Sequence, residues 1–280
     1  MRVLIAGCGD LGTEAGLQLA AEGHEVFGLR RDPSVLPGPL RRVAGDLTRD
    51  DGLDEVPAGL DAVVHVATAD GRDEAAYAAV YRDGLARLLD RTTRGGETPR
   101  ALFVSSTTVY GDAGGDWVDE TTPTSPDTAT GERIVEAERL LLQAPVTGLV
   151  LRLAGIYGPG RTRLIDQVRA GRAARPDPPT HGNRIHRDDA ARAIVHLLTL
   201  DEVEAIYLGV DHAPVDRGEV IAWLATELGL PEPPTGPASG RGGDKRCRND
   251  RLVASGFVFR YPTYVEGYRA VLRGQGVRHP

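Results

Sequence analysis

Gly7, Gly9 and Gly12 stand in the order G-x-G-x-x-G within "IAGCGDLG", between a short apolar run and a segment of helical period. In a strand-turn-helix context the first glycine permits a tight turn. The second lets the backbone close on a pyrophosphate, and the third lets helix and strand pack tightly. The helix N-terminus behind such a turn offers unpaired N–H groups to an anion. The chemistry expected of Gly7, Cys8, Gly9, Asp10, Leu11 and Gly12 is therefore the holding of a dinucleotide.

A second cluster sets which dinucleotide. "GLRRDP" places Arg30 and Arg31 at the end of the second β-like run, where a carboxylate would bond ribose hydroxyls and a guanidinium would take a 2′-phosphate. The expectation is NADP(H) favoured over NAD(H). In "GDLT", Asp46 is expected to accept from the adenine amino group, with Leu47 against the ring. Val66, Ala67 and Thr68 end the next run and are expected beside the ribose and nicotinamide. His65, one step before that strand end, reads as a core residue.

A third cluster could be the floor of an active site. "ALFVSSTTVYG" is an apolar run that ends in hydroxyls, among them Ser105, Ser106 and Thr107. Ser105 is expected to touch the cofactor. Yet residues 124–142 contain no Tyr, Lys, His or Cys, and Lys245 is the only lysine of the chain.

The elements that must position these groups are legible as alternation. "RVLIAG", "EVFGLR", "DAVVHVAT", "ALFVSST", "TGLVLRLAG" and "EAIYLGV" are apolar runs suited to strands buried on both faces. Segments of helical period lie between them, including 75–93, 132–143 and 187–200. Strand alternating with helix implies an α/β fold, a Rossmann-type doubly wound parallel sheet. Residues 171–183 and the Pro/Gly-rich 231–245 read as loops, and 261–272 as a closing helix.

Composition sets outer limits. The chain has 280 residues, long enough for one large α/β domain or a domain plus a lobe. A formal charge of −7 argues against nucleic acid as a main partner. No apolar run reaches the ~18 residues of a membrane span, and the N-terminal run is too short for a signal peptide. Cys8 and Cys247 lie far apart, fit a reducing compartment and form no metal-ligand spacing. The expectations are a cytoplasmic protein with a small-molecule substrate and no metal, with a homodimer through helices flanking the sheet as one option.

The motifs "IAGCGDLG", "GDL", "VVHVA", "FVSSTTVYGD", "LRLAGIYGPGR", "GNRIHRDDAARAI" and "GFVFRYPTYVEGYRAVL" run in order along nearly the whole chain. In them the chain resembles the extended and atypical short-chain dehydrogenases/reductases, the NAD(P)-dependent epimerase/dehydratase family, and within it the YeeZ-like branch. The resemblance implies that Ser106, four residues before Tyr110, bonds the reacting oxygen, with Ser105 and Thr107 flanking. It also implies a Tyr-x-x-x-Lys pair on the next helix, and here the sequence departs. One register places Asp127 and Gly131 at the pair, and another places Thr130 and Ile134. Gly155 stands where many nucleotide-sugar enzymes of the family carry Asn.

Proton transfer by a placed group contributes ~10²–10⁴ in rate, so the departure matters. Tyr110, Tyr157 and His186 are the other candidates, and the acid/base stays open. The resemblance implies a smaller C-terminal substrate lobe, residues 157–182 plus 211–280, over a dinucleotide-binding domain of residues 1–156 plus 183–210. Arg161, Arg184, Lys245 and Arg246 are its candidate contacts to an anionic group, while Asp188 and Asp189 are expected to cap the helix that follows. Two functions fit: an oxidoreductase or epimerase acting on a carbonyl or alcohol, and a catalytically inactive dinucleotide-binding regulator or sensor.

Overall fold

Val3 and Ile5 enter one hydrophobic cluster while Leu4 and Ala6 enter another. Strand β1 (Arg2–Ala6) is thus buried on both faces, as its unbroken apolar run requires. The computed structural model describes residues 1–238 and 242–280. Six further strands join β1: β2 (Glu25–Arg30), β3 (Arg41–Ala44), β4 (Ala62–His65), β5 (Arg100–Ser106), β6 (Thr147–Leu153) and β7 (Ile206–Gly209). They pair in parallel in the order β7-β6-β5-β4-β1-β2-β3. The order reverses between β1 and β4, and ligands of such sheets bind beyond the carboxyl ends of the strands at that point.

The principal helices are α1 (Asp10–Ala21), α2 (Gly84–Thr93), α3 (Ala129–Gln143), α4 (Arg163–Arg169), α5 (Arg187–Thr199), α6 (Arg217–Glu227) and α7 (Tyr264–Leu272). On one face of the sheet, Leu11, Ala15 and Leu19 of α1 share a core with Ile194, Leu197 and Leu198 of α5. On the other, Leu85 and Leu89 of α2 meet Ile134, Ala137 and Leu141 of α3 over Ala101 and Phe103. This is the doubly wound arrangement.

The expected single helix over 75–93 is broken. A turn of α-helix (Glu74–Tyr77) passes into a π-helical segment (Ala78–Asp83) before α2 begins. Here His65 Nε2 bonds the Val80 carbonyl at 3.0 Å, giving that oxygen a partner outside the helical ladder.

A smaller core lies in the second half, where α4, α6 and α7 pack together. Tyr157, Ile165, Val168, Leu224, Tyr264 and Tyr268 cluster there. Between α6 and α7 the chain forms the short helix Asp250–Ala254. A capping box closes the start of α7: the Thr263 hydroxyl accepts from Val265 N at 3.2 Å, and Glu266 accepts from Thr263 N at 3.1 Å. The closing helix therefore starts at Tyr264, later than the expected 261.

Both expected loops carry short strands, because each finds a distant partner. Arg175–Asp177 pairs with Thr235–Pro237, and His181–Gly182 pairs with Val215–Asp216. Residues 239–241 of the second expected loop lie outside the described residues. No helix among the described residues is long and apolar enough to cross a membrane.

Candidate functional site

The glycine turn forms as its sequence requires. Gly7 has φ +96°, and a Cβ there would lie 2.3 Å from the Ala67 backbone. A Cβ at Gly12 would come within 2.9 Å of the Gly7 carbonyl oxygen. Above Gly9 a Cβ would meet no atom within 4 Å, and Gly9 caps α1 without any side-chain bond. Open space thus stands over the free N–H groups of the helix start, which fits a pyrophosphate.

Asp10 brings a negative charge to that spot, and the fold offsets it. Its Oδ1 accepts from Arg187 Nη1 at 2.9 Å, and its Oδ2 from Arg161 Nε at 2.8 Å. Cys8 is buried 3.7 Å from the Thr13 hydroxyl, and burial pushes its thiol up to about 11. It fills the turn as a neutral group.

At the end of β2, Arg30 Nη1 donates to the Cys8 carbonyl at 3.1 Å. Arg31 is engaged differently: Asp70 takes both of its terminal nitrogens, at 2.6 and 3.1 Å. That pair is exposed, so it stabilises by ~1 kcal/mol at most and opens easily. Asp46 Oδ1 accepts from the Thr48 N–H and hydroxyl, at 2.9 and 2.7 Å. Leu47 is buried beside it.

These groups line one cleft of about 530 Å³ at the carboxyl ends of β1, β2, β4 and β5, together with Val66, Ala67, Thr68, Ser105, Ser106 and Arg161. Ser106 Oγ accepts from the Thr108 N–H at 3.2 Å and so starts the 3₁₀ turn Thr107–Tyr110. Ser105 faces inward: its hydroxyl donates to Glu138 at 2.5 Å, and Glu138 is in turn held by Arg152.

Several expected site residues lie elsewhere. The 3₁₀ turn swings Thr107 into the core, away from the cleft lining. Tyr157 is buried, its ring 4.3 Å from Tyr268, and burial raises its phenol strongly. Tyr110 donates to the Asp119 carbonyl at 2.6 Å within the core. His186 is buried with its ring 3.9 Å from Tyr261, and burial lowers it to about 4. Its Nδ1 accepts from Asp188 N at 3.2 Å, so His186 is the helix cap expected of Asp188 or Asp189. Asp189 instead receives the N–H groups of Arg260 and Tyr261, both at 2.8 Å.

Of the four expected anion contacts, Arg161 alone lines the cleft. Arg184 donates to the Ala213 carbonyl at 3.1 Å, beneath Tyr264. Lys245 Nζ donates to Gly111 and Gly242 carbonyls, at 2.7 and 2.5 Å. Arg246 donates to the Gly115 carbonyl at 2.7 Å and stacks on Trp117. Each satisfies backbone oxygens in segments that lack regular ladders.

The cleft also holds groups that sequence reasoning passed over. Tyr81, on the π-helical segment, lines it, as do Ile134 and Ile156. Burial pushes the Tyr81 phenol up to about 12, and its ring lies 5.1 Å from Tyr77. The i,i+4 pair Tyr77/Tyr81 was the available signal, but it reads equally as core. For Glu138 the signal was an acid on the apolar face of a helix, between Ala137 and Leu141. Among the described residues no group of His, Cys, Asp or Glu is placed to hold a metal ion.

Comparison with known proteins agrees with this architecture. The family model described as the NAD dependent epimerase/dehydratase family matches residues 3–209. Protein YeeZ of Escherichia coli (strain K12) is 32% identical over 271 residues, covering 93% of this chain and 96% of the relative. The 3-diazoavenalumate denitrifying reductase of a Streptomyces species is 32% identical over 261 residues, covering 85% of each. A solved structure from Methylobacillus flagellatus, described as an NAD-dependent epimerase/dehydratase, superposes with a TM-score of 0.81 at 37% identity, covering 97% of both chains.

Proposed function

Because the chain belongs to the NAD dependent epimerase/dehydratase family, we propose that it binds NADP(H) in preference to NAD(H) and acts with it on the carbonyl or alcohol of a small molecule, a sugar derivative among the options. The observation that carries this reading is Arg30: a guanidinium at the end of β2 lines the same cleft as the Gly7–Gly12 turn. A fixed cation there favours a 2′-phosphate over a bare ribose. The bound nucleotide would supply or accept a hydride. Residues 1–156 plus 183–210 would bind it, and residues 157–182 plus 211–280 would form the lobe over the substrate. A homodimer, in this reading, would form through helices flanking the sheet.

In this reading Ser106 orients the reacting oxygen and Tyr81 provides its proton. Ser106 lies at the end of β5 in the cleft, and Tyr81 is the phenol that lines the same cleft. A phenol kept neutral by burial is suited to donate to the alkoxide that hydride addition creates, since an alkoxide is the stronger base. It is poorly suited to remove a proton from an alcohol at neutral pH. The direction favoured is reduction, in keeping with the reductase among the relatives.

The second reading, a dinucleotide-binding regulator or sensor without turnover, is favoured by Ile134. An apolar side chain faces the cleft on the helix that carries the proton relay in the resembling family. Incubation with stereospecifically deuterated NADPH and a panel of aldehydes and ketones separates the two. Transfer of label supports the reductase; tight NADPH binding with no transfer supports the sensor.

A further inference from the structure

We propose that the segment Val277–Pro280 is a positioning strap for Arg30 and thereby sets the selectivity of the cleft for a 2′-phosphorylated dinucleotide. This rests on the NADP reading above. The segment crosses the start of α1 and is fastened at each residue. The Val277 carbonyl accepts from Arg187 Nη2 at 2.7 Å, and Arg278 Nη1 donates to the Gly160 carbonyl at 2.9 Å. His279 N donates to Asp10 Oδ1 at 3.1 Å, while its ring Nε2 lies 2.8 Å from Glu14 Oε2. A Pro280 main-chain oxygen accepts from Arg30 Nη1 at 3.0 Å.

Two glycines mark how closely the strap is seated. A Cβ on Gly160 would fall 2.2 Å from Arg278 Cδ, and one on Gly276 would fall 2.5 Å from Pro159 Cγ. Neither position has room for a side chain.

The donor count of Arg30 gives the strap its role. A guanidinium carries five N–H groups, two of them on Nη1. The Cys8 and Pro280 oxygens engage Nη1. Nε and Nη2 have no protein acceptor among the described residues, and three N–H groups are left for a phosphate. Arg30 lines the cleft, whereas none of residues 277–280 does. The strap therefore backs the guanidinium without occupying the phosphate position. An arginine held in place from behind loses less freedom on binding than a free one.

Deletion of residues 277–280 tests this, with calorimetric titration of NADPH and NADH and a thermal melt to confirm folding. The expected result is a Kd for NADPH raised about tenfold and a Kd for NADH changed less than about twofold. Arg30→Ala should give a similar loss in the full chain and little further loss in the shortened one, since coupled residues are not additive. Should the shortened chain fail to fold, His279→Ala, which loosens the strap at Glu14, should show the same selective pattern at smaller size. Equal weakening of both nucleotides, no change, or tighter NADPH binding would overturn the strap. If the intact chain binds NADPH no better than NADH, the cofactor reading falls and the strap with it; a retained preference that deletion leaves intact removes the strap alone.

Discussion

Glu138 and Arg152 meet as a two-point ion pair inside the protein, Nε to Oε1 at 2.9 Å and Nη2 to Oε2 at 2.6 Å. Both side chains are 4% exposed. The same carboxylate takes the Ser105 hydroxyl, and Arg152 Nη1 donates to the Tyr110 hydroxyl at 2.7 Å. One buried network thus joins α3, β5, β6 and the turn after Ser106, and fixes the floor of the cleft. Removing one member leaves the other charge buried and unpaired. Glu138→Ala should cost about 3–5 kcal/mol in chemical denaturation, whereas loss of an exposed pair such as Arg94 and Asp90 should cost under about 1 kcal/mol.

Arg30 and Arg31 should separate by titration. Arg30→Asp should weaken NADPH by about tenfold or more and NADH far less. Arg31→Ala should weaken NADPH less than Arg30→Asp does, because Arg31 must first leave Asp70, at a cost of up to about 1 kcal/mol. Equal losses of NADPH and NADH in Arg30→Asp would reject the 2′-phosphate role.

Tyr81→Phe should lower kcat for carbonyl reduction by ~10²-fold or more while leaving the Kd for NADPH within about twofold. Tyr157→Phe, whose phenol is packed on Tyr268, should leave kcat near that of the parent. The reverse pattern would return the proton to Tyr157.

Acid should remove the stability that two buried histidines contribute, against an opposing gain at Asp211, whose carboxyl burial raises to about 7. Burial lowers His65 and His186 from 6.5 to about 4. Below pH 6.5 these two side chains take up protons in the unfolded chain that they refuse in the fold, so their contribution is complete above 6.5 and is lost as pH falls toward 4. Each histidine adds a slope of about 1.4 kcal/mol per pH unit in that window. His65→Phe should reduce the slope by about one proton in urea melts taken at about pH 6 and 5. An unchanged slope would mean that His65 is already protonated in the fold or free to ionise.

Gly7→Ala should destabilise by roughly 3 kcal/mol or more, since the new Cβ meets backbone and the positive φ adds strain. Gly9→Ala meets nothing in the protein itself. It should leave the melting temperature nearly unchanged and weaken both nucleotides.

Local residue types were enough to specify the sheet and the glycine turn that lines the cleft. Buried parallel strands must be apolar on both faces, and the turn between β1 and α1 tolerates only glycine at Gly7, so both are written in short stretches of chain. Long-range packing settled the rest. Tyr157, His186, Arg184 and Lys245 carry chemically useful groups, yet burial among Tyr268, Tyr261 and backbone carbonyls commits them to packing. Tyr81 reaches the cleft through a π-helical segment, and Arg30 is backed by a residue 250 positions away in sequence. A side chain's reactivity depends on which distant segments exclude water from it or leave it open, and no local pattern of residues records that.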